Sequence, residues 1–214
     1  MTFKNISFIL HKPQLSENIG SCARAMKNFN FENLLIINPK PSFPNDKILA
    51  TSVGAKNIIK NAKVFNSLEK SLSKIDILIA TSARFRNKNI KHIDLEDLYK
   101  INFNKKIAFL FGSEASGLSN NEVSYADYTL QIPSSNKFRS LNLSHSLIVI
   151  AYVVSNLISK RKIKFNKSKK IKRATKNDIM NMLYFCLKML EKKNFFKQPV
   201  KKPIMLENLR SIFY

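Results

Sequence analysis

The 214-residue chain is poor in glycine, cysteine, histidine and acidic side chains, and each scarcity removes a class of protein. Its four glycines are Gly20, Gly54, Gly112 and Gly117. The patterns G-x-G-x-x-G and G-x-x-x-x-G-K-[ST] use glycines to let backbone approach phosphates. Neither pattern occurs, which excludes a conventional Rossmann dinucleotide site and a P-loop NTPase. The two cysteines, Cys22 and Cys186, are far apart, and His11, His92 and His145 lie in unrelated segments. Zinc-ligand spacing and a disulfide framework are both absent, so no metal site is expected and a reducing cytoplasm fits. The opening MTFKNISFILHKPQ holds an apolar run too short for a signal segment. No run reaches the ~18 apolar residues of a membrane span, so no membrane association is expected.

What the chain does have is positive charge. It carries 37 Lys and Arg against 14 Asp and Glu, a formal net charge of +23. Because 30 of the 37 are Lys in an Asn- and Ile-rich chain, part of this is the Lys coat of a biased composition. The distribution argues for more than bias. Residues 1–159 carry a net +9, residues 160–214 a net +14, and 160–176 hold ten basic residues and no acid. Charge concentrated in this way points to a polyanion, most simply nucleic acid.

The first 160 residues alternate between two periodicities. Short apolar runs predict strands at 6–10, 34–38, 62–65, 76–81, 106–111 and 127–132. Helical spacing predicts helices at 18–29, 46–60 with a break at Gly54, 67–74, 94–100, 119–126 and 141–160, the last mostly buried. Ser16 is a cap for the first of these, and Ser119 with Glu122 forms a capping box. Strands alternating with helices make an α/β domain with a mainly parallel sheet. Ligands of such sheets bind at the carboxyl ends of strands, in loops 11–18, 38–46, 81–92, 112–118 and 132–141. The division is a domain over 1–160, a basic linker over 161–175 and a helical extension over 176–214. The extension holds an amphipathic helix (176–196) and a closing helix (204–213).

Unusual residue choices mark four of those loops. In Asn18-Ile19-Gly20-Ser21-Cys22-Ala23-Arg24, Asn18 and Arg24 are too far apart for one helical face. Either Asn18 lies in the loop and reaches back beside Arg24, or the pair is a helix cap and a surface arginine. The stretch Phe111 to Leu118 spends two of the four glycines, so each must serve a positive φ or a close backbone approach. Glu114 between them reads as a loop organiser rather than a base. In Ile132 to Ser144, Ser140 is placed to cap the following helix, and Asn142, one turn inside, needs its amide bonded. Thr81-Ser82-Ala83-Arg84 ends a strand.

The segments NIGSCARAMKN, TSARFRN, FGSEASGLSNNE and IP…SLNLSHS, in this order and spacing, resemble the SPOUT (trefoil-knotted) RNA ribose methyltransferases. More narrowly they are similar to the TrmJ branch, tRNA cytidine/uridine 2′-O-methyltransferases of anticodon-loop position thirty-two. The resemblance covers about residues 3–160 strongly and the tail more weakly. It implies an α/β fold with a C-terminal trefoil knot, a homodimer, a cytoplasmic tRNA substrate and S-adenosyl-L-methionine as cofactor. It also implies cofactor contacts at Thr81, Ser82, Ala83, Gly112, Ile132, Ser140, Leu141 and Asn142, and catalytic roles for Asn18, Arg24, Glu114 and Asn142. Arg139 departs from the pattern, standing where many relatives have a small polar residue. Arg24, Arg84 and, in the basic run, Lys169, Lys170, Lys172 and Arg173 are the expected RNA contacts. The same chemistry on ribosomal RNA or another tRNA position is the alternative, and a non-catalytic RNA-binding factor on this fold is a third. Retention of Asn18, Arg24, Glu114 and Asn142 together argues against the third.

If about six cations of the basic run and nearby loops meet phosphates, RNA affinity falls roughly 10²–10³-fold between 50 and 200 mM salt. Filter binding across that range checks this, and an affinity flat in salt would show the lysines to be compositional.

Overall fold

The computed structural model describes residues 3–82, 90–135, 137–159 and 176–196, together with 202, 203 and 205. The chain divides into two compact units, Met1–Ile163 and Lys164–Tyr214.

The first unit is built on seven strands: β1 (Ile6–His11), β2 (Asn33–Ile37), β3 (Lys63–Phe65), β4 (Ile77–Thr81), β5 (Lys91–Asp94), β6 (Ile107–Phe111) and β7 (Tyr128–Gln131). They form one sheet in the order β3-β2-β1-β6-β4-β7-β5, and every pairing is parallel. A parallel sheet is covered on both faces, and the period of two sorts side chains between them. Ile6, Phe8 and Leu10 of β1 and Ile107, Phe109 and Phe111 of β6 enter one apolar cluster. Ile9, Ala108 and Leu110 enter the other. The first face is the larger. There Phe8 stacks on Phe109 at 5.7 Å and meets Phe31 edge-on at 5.1 Å.

Among the described residues, six helices pack on this sheet: α1 (Ser16–Asn28), α2 (Asp46–Thr51), α3 (Lys56–Asn61), α4 (Leu68–Leu72), α5 (Asn120–Val123) and α6 (Leu143–Ile158). Residues of α1, α2, α3 and α6 cover the larger face, and those of α4 and α5 the smaller. Gly20 serves the packing of α1 on α2. A Cβ there would stand 2.0 Å from Thr51 Oγ1 and 2.5 Å from the Ile48 carbonyl. The scarce glycine of the first motif is therefore explained by helix contact. Burial pushes the Cys22 thiol of α1 strongly upward, which makes it inert packing.

Several boundaries differ from expectation for physical reasons. Helix α1 begins at Ser16, so Ser16 is helical; the cap position is Leu15, which offers no side-chain bond. Asn142 is the N-cap of α6, and Ser140 is not. Helix α6 is buried along one stripe, Leu143, Leu147, Ile150, Ala151 and Val154, while Ile148 and Tyr152 are exposed. Residues 95–100 form a 3-10 helix. Strand β5 falls where a loop is expected, because an edge strand buries only Ile93 and exposes Lys91. The capping box of Ser119 and Glu122 is present.

In the second unit the amphipathic segment forms α7 (Lys176–Lys192), with Leu183 and Leu187 buried. The basic linker and, of the expected closing helix (204–213), every residue but 205 lie outside the described residues.

His11 ends β1 nearly buried, its Nδ1 3.4 Å from Glu122 Oε1, which also meets Lys12 Nζ at 3.4 Å. Burial lowers the His11 pKa below 6.5, against the pull of Glu122. Burial alone raises Glu122, but its bond from the Ser119 N–H and its cationic neighbours outweigh that and hold it below 4.5. A base with a depressed folded pKa binds more protons when unfolded, so its contribution is complete above about pH 6.5 and lost as pH falls. Glu122 contributes above its unfolded pKa and is lost at still lower pH. Urea midpoints are expected to fall between about pH 7 and pH 5, and His11→Gln to flatten that slope. A pH-independent parent midpoint over that range would contradict the burial argument.

Candidate active site

Strand order reverses between β1 and β6: β2 and β3 lie to one side, β4, β7 and β5 to the other. Loops leaving the carboxyl ends of β1 and β6 therefore emerge side by side, the place where open parallel sheets bind ligands. The loop after β6 folds back on itself, with Gly117 N donating to the Ser113 carbonyl at 2.9 Å. Gly117 has φ +66°, and a Cβ on Gly112 would lie 2.2 Å from the Gly117 carbonyl carbon. One glycine supplies the left-handed turn and the other the close approach.

This turn presents Glu114 to the loop after β1. Its Oε2 accepts from Gln14 N at 2.8 Å, and its Oε1 from Leu15 N at 3.2 Å and Asn18 Nδ2 at 2.8 Å. A carboxylate thus stands at the start of α1, where the helix lacks a side-chain cap and favours negative charge. Glu114 organises the loop, holding a residue about 100 positions away in sequence.

The network continues. Asn18 is buried in the first turn of α1, and its Oδ1 accepts from Asn142 Nδ2 at 3.0 Å. Asn142 Oδ1 accepts from Ser144 N and from Ser144 Oγ, both at 2.8 Å. The amide orientations are fixed by chemistry: an ionised carboxylate only accepts, so Asn18 turns its NH₂ to Glu114 and its oxygen to Asn142. Three elements distant in sequence are pinned into one constellation.

Beside it, at the ends of β4, β6 and β7, lies a cleft of about 180 Å³. Thr81, Ser82, Gly112, Ile132, Ser140 and Leu141 line it, and so does Glu114. Thr81 Oγ1 donates to the Leu110 carbonyl at 3.0 Å, and Ser82 N to the Leu130 carbonyl at 3.0 Å, which fixes this rim. Ser113, Leu118, Leu143 and Ser146 also line the cleft. Only their adjacency to the glycine pair and to Asn142 could have flagged them. Arg139 is on the wall, and its carbonyl accepts from Ser134 Oγ at 3.1 Å. The wall combines apolar side chains, hydroxyls and loop backbone, the mixture expected of a small-molecule site, although its volume is below the ~300–1,000 Å³ usual for ligand pockets. Such a wall suits a nucleoside cofactor: apolar surface for a base, hydroxyls and backbone for polar groups.

Asn142 meets the cleft through the network and is not on its wall. Arg24 is exposed on α1, is not on the wall either, and makes no hydrogen bond or ion pair among the described residues. Asn18 is helical and bonded to Glu114 and Asn142, so it does not reach back to Arg24. Ala83, Arg84, Lys169, Lys170, Lys172 and Arg173 lie outside the described residues.

The parallel sheet, the cleft at the carboxyl ends of β4, β6 and β7 and the loop network beside it define an α/β enzyme-type site, and comparison with known proteins gives its family. Residues 5–152 match the model of the SpoU rRNA Methylase family, and the chain belongs to that family. It is 37% identical over 156 residues to the tRNA (cytidine-2′-O-)-methyltransferase TrmJ of Methanocaldococcus jannaschii, a match covering 70% of this chain and 66% of that protein. It is 36% identical over 142 residues to the tRNA (cytidine/uridine/adenosine-2′-O-)-methyltransferase TrmJ of Pseudomonas aeruginosa, covering 64% and 55%. The chain thus spans less than two-thirds of the length of these relatives. Among solved structures, TrmJ from Z. mobilis superposes with a TM-score of 0.67 at 27% identity, covering 97% of this chain and 89% of that one.

Asn18→Ala strips a donor from Glu114 and orphans the Asn142 amide, a loss of about 1–3 kcal/mol in urea titration. Asn18→Asp sets two carboxylates together and should cost more at neutral pH, the deficit shrinking as pH is lowered through the carboxylate range. An unchanged Asn18→Ala midpoint would show the network to be idle.

Proposed function

We propose that this chain is an S-adenosyl-L-methionine-dependent 2′-O-ribose methyltransferase of tRNA, acting on cytidine or uridine at anticodon-loop position thirty-two. The observation that carries the reading is the convergence of Thr81, Ser82, Gly112, Ile132, Ser140 and Leu141 on one cleft beside the Glu114–Asn18–Asn142 network. The names of the TrmJ relatives support the substrate class.

The cofactor supplies an activated methyl and its own leaving group, so the protein's task is position and charge. Cleft residues would hold it, with Ala83 assigned to the same site and Asn142 acting on it through the network. Holding the ribose oxygen in line with the methyl can account for as much as ~7–11 kcal/mol of the barrier. Arg24 cannot serve as an ordinary base, because a guanidinium stays protonated. Its role is to clamp the phosphate next to the target and stabilise the developing alkoxide, while water or a phosphate oxygen takes the 2′-hydroxyl proton. Asn18 and Glu114 position the start of α1, and thereby the helix that carries Arg24. Arg84, Lys169, Lys170, Lys172 and Arg173 are assigned to the RNA backbone.

A homodimer and a cytoplasmic site of action belong to this reading. Ile148 and Tyr152, one turn apart on α6, are large apolar side chains left exposed, a surface suited to a second copy. The C-terminal knot belongs to it by family resemblance. The same chemistry on ribosomal RNA is the second reading, favoured by the description of the family model. The nucleotide that loses its methyl in a deletion strain separates the two.

Arg24→Ala is expected to abolish turnover while leaving cofactor affinity by calorimetry within about twofold. Near-normal single-turnover methylation by this variant would remove Arg24 from the chemistry.

A further inference from the structure

The loop between β7 and α6 has two sides. Ile132, Arg139, Ser140 and Leu141 line the cleft. Phe138, next to Arg139, does not, and it is 76% exposed, more than any other large apolar side chain among the described residues. It stands on a fastened turn. Ser135 and Phe138 form an antiparallel bridge, Phe138 N donates to the Ser135 carbonyl at 3.1 Å, and Lys137 N donates to Ser135 Oγ at 3.3 Å. Lys137 before it and Arg139 after it are exposed. An apolar ring held out to solvent between two cations, one residue from the cleft wall, is not explained by the core or by cofactor binding.

We infer that Phe138 is a stacking platform for an unpaired RNA base neighbouring the target nucleotide, with Lys137 meeting the adjoining phosphate. This rests on the RNA methyltransferase reading and adds a specificity-determining residue to it. Aromatic faces stack on any base, and flanking cations follow the backbone, so the pair of features recognises a single strand. Charge argues against a second copy of the chain as occupant. A two-fold contact at this turn would set Lys137 of both copies together, and residues 132–142 contain no acid to offset them. The proposal also gives a physical reason for preferring a loop nucleotide, since a paired base has no free face to offer.

The chain contains no tryptophan, so Phe138→Trp creates a single reporter at the platform. Its fluorescence should be quenched by an RNA hairpin with an unpaired loop and not by a fully paired duplex of equal length. In tRNA methylation, Phe138→Ala and Phe138→Leu should raise KM for tRNA roughly 5- to 100-fold, the range of one lost stacking contact. Their kcat and cofactor affinity should stay within about twofold, and Phe138→Trp should keep a near-parental KM. A tryptophan silent to the hairpin, with an unchanged KM in Phe138→Ala, overturns the inference while leaving the enzyme reading intact. A silent tryptophan with a halved solution mass in Phe138→Ala overturns it in favour of a copy-to-copy contact. If the parent methylates no RNA yet the hairpin quenches, the enzyme reading fails and the platform stands.

Discussion

The carboxylate of Glu114 is the constraint on which the site depends. It sits on a turn that two glycines make possible, and it accepts three hydrogen bonds from the loop and helix that follow β1. Through Asn18 it reaches Asn142, the cap of the last helix of the domain. Each link is dictated by donor and acceptor count: the carboxylate only accepts, the amides must alternate, and the helix start supplies the final donor. One charged group therefore sets the relative positions of three segments that the sequence keeps far apart.

Topology makes that economy possible. Because β1 and β6 are neighbours and the strand order reverses between them, their loops lie in contact without long excursions. The cleft then needs only the ends of β4 and β7 and the loop into α6 to close its wall. Gly20 contributes at a distance, letting α1 settle against α2.

Much of the fold was legible because central parallel strands are plain apolar runs. IAFLF and ILIAT could hardly be read otherwise, and the Ser119–Glu122 capping box announced its own helix. Strand β5 was not legible, since Lys-His-Ile-Asp has one inward residue and its pairing with β7 depends on chain 37 residues later. The identities of Glu114, Asn18 and Asn142 were visible as odd choices in a glycine-poor or apolar setting. Their partnership was not, because local spacing carries no information about contacts 96 and 124 residues apart. The same limit misplaced the cap of α6 and left Asn18 open between loop and helix. Phe138 was hidden differently: exposure is a property of the folded turn, and nothing in KFRS distinguishes an outward ring from an inward one.

The proposed reaction is transfer of a methyl group to a ribose oxygen in an unpaired stretch of tRNA. Incubating total RNA with the protein and labelled S-adenosyl-L-methionine, then mapping the label, tests it most directly. The prediction is one ribose 2′-O-methyl group on a tRNA anticodon-loop nucleotide. Cofactor that binds without transfer to any RNA, or label carried on a base rather than a ribose, would contradict it.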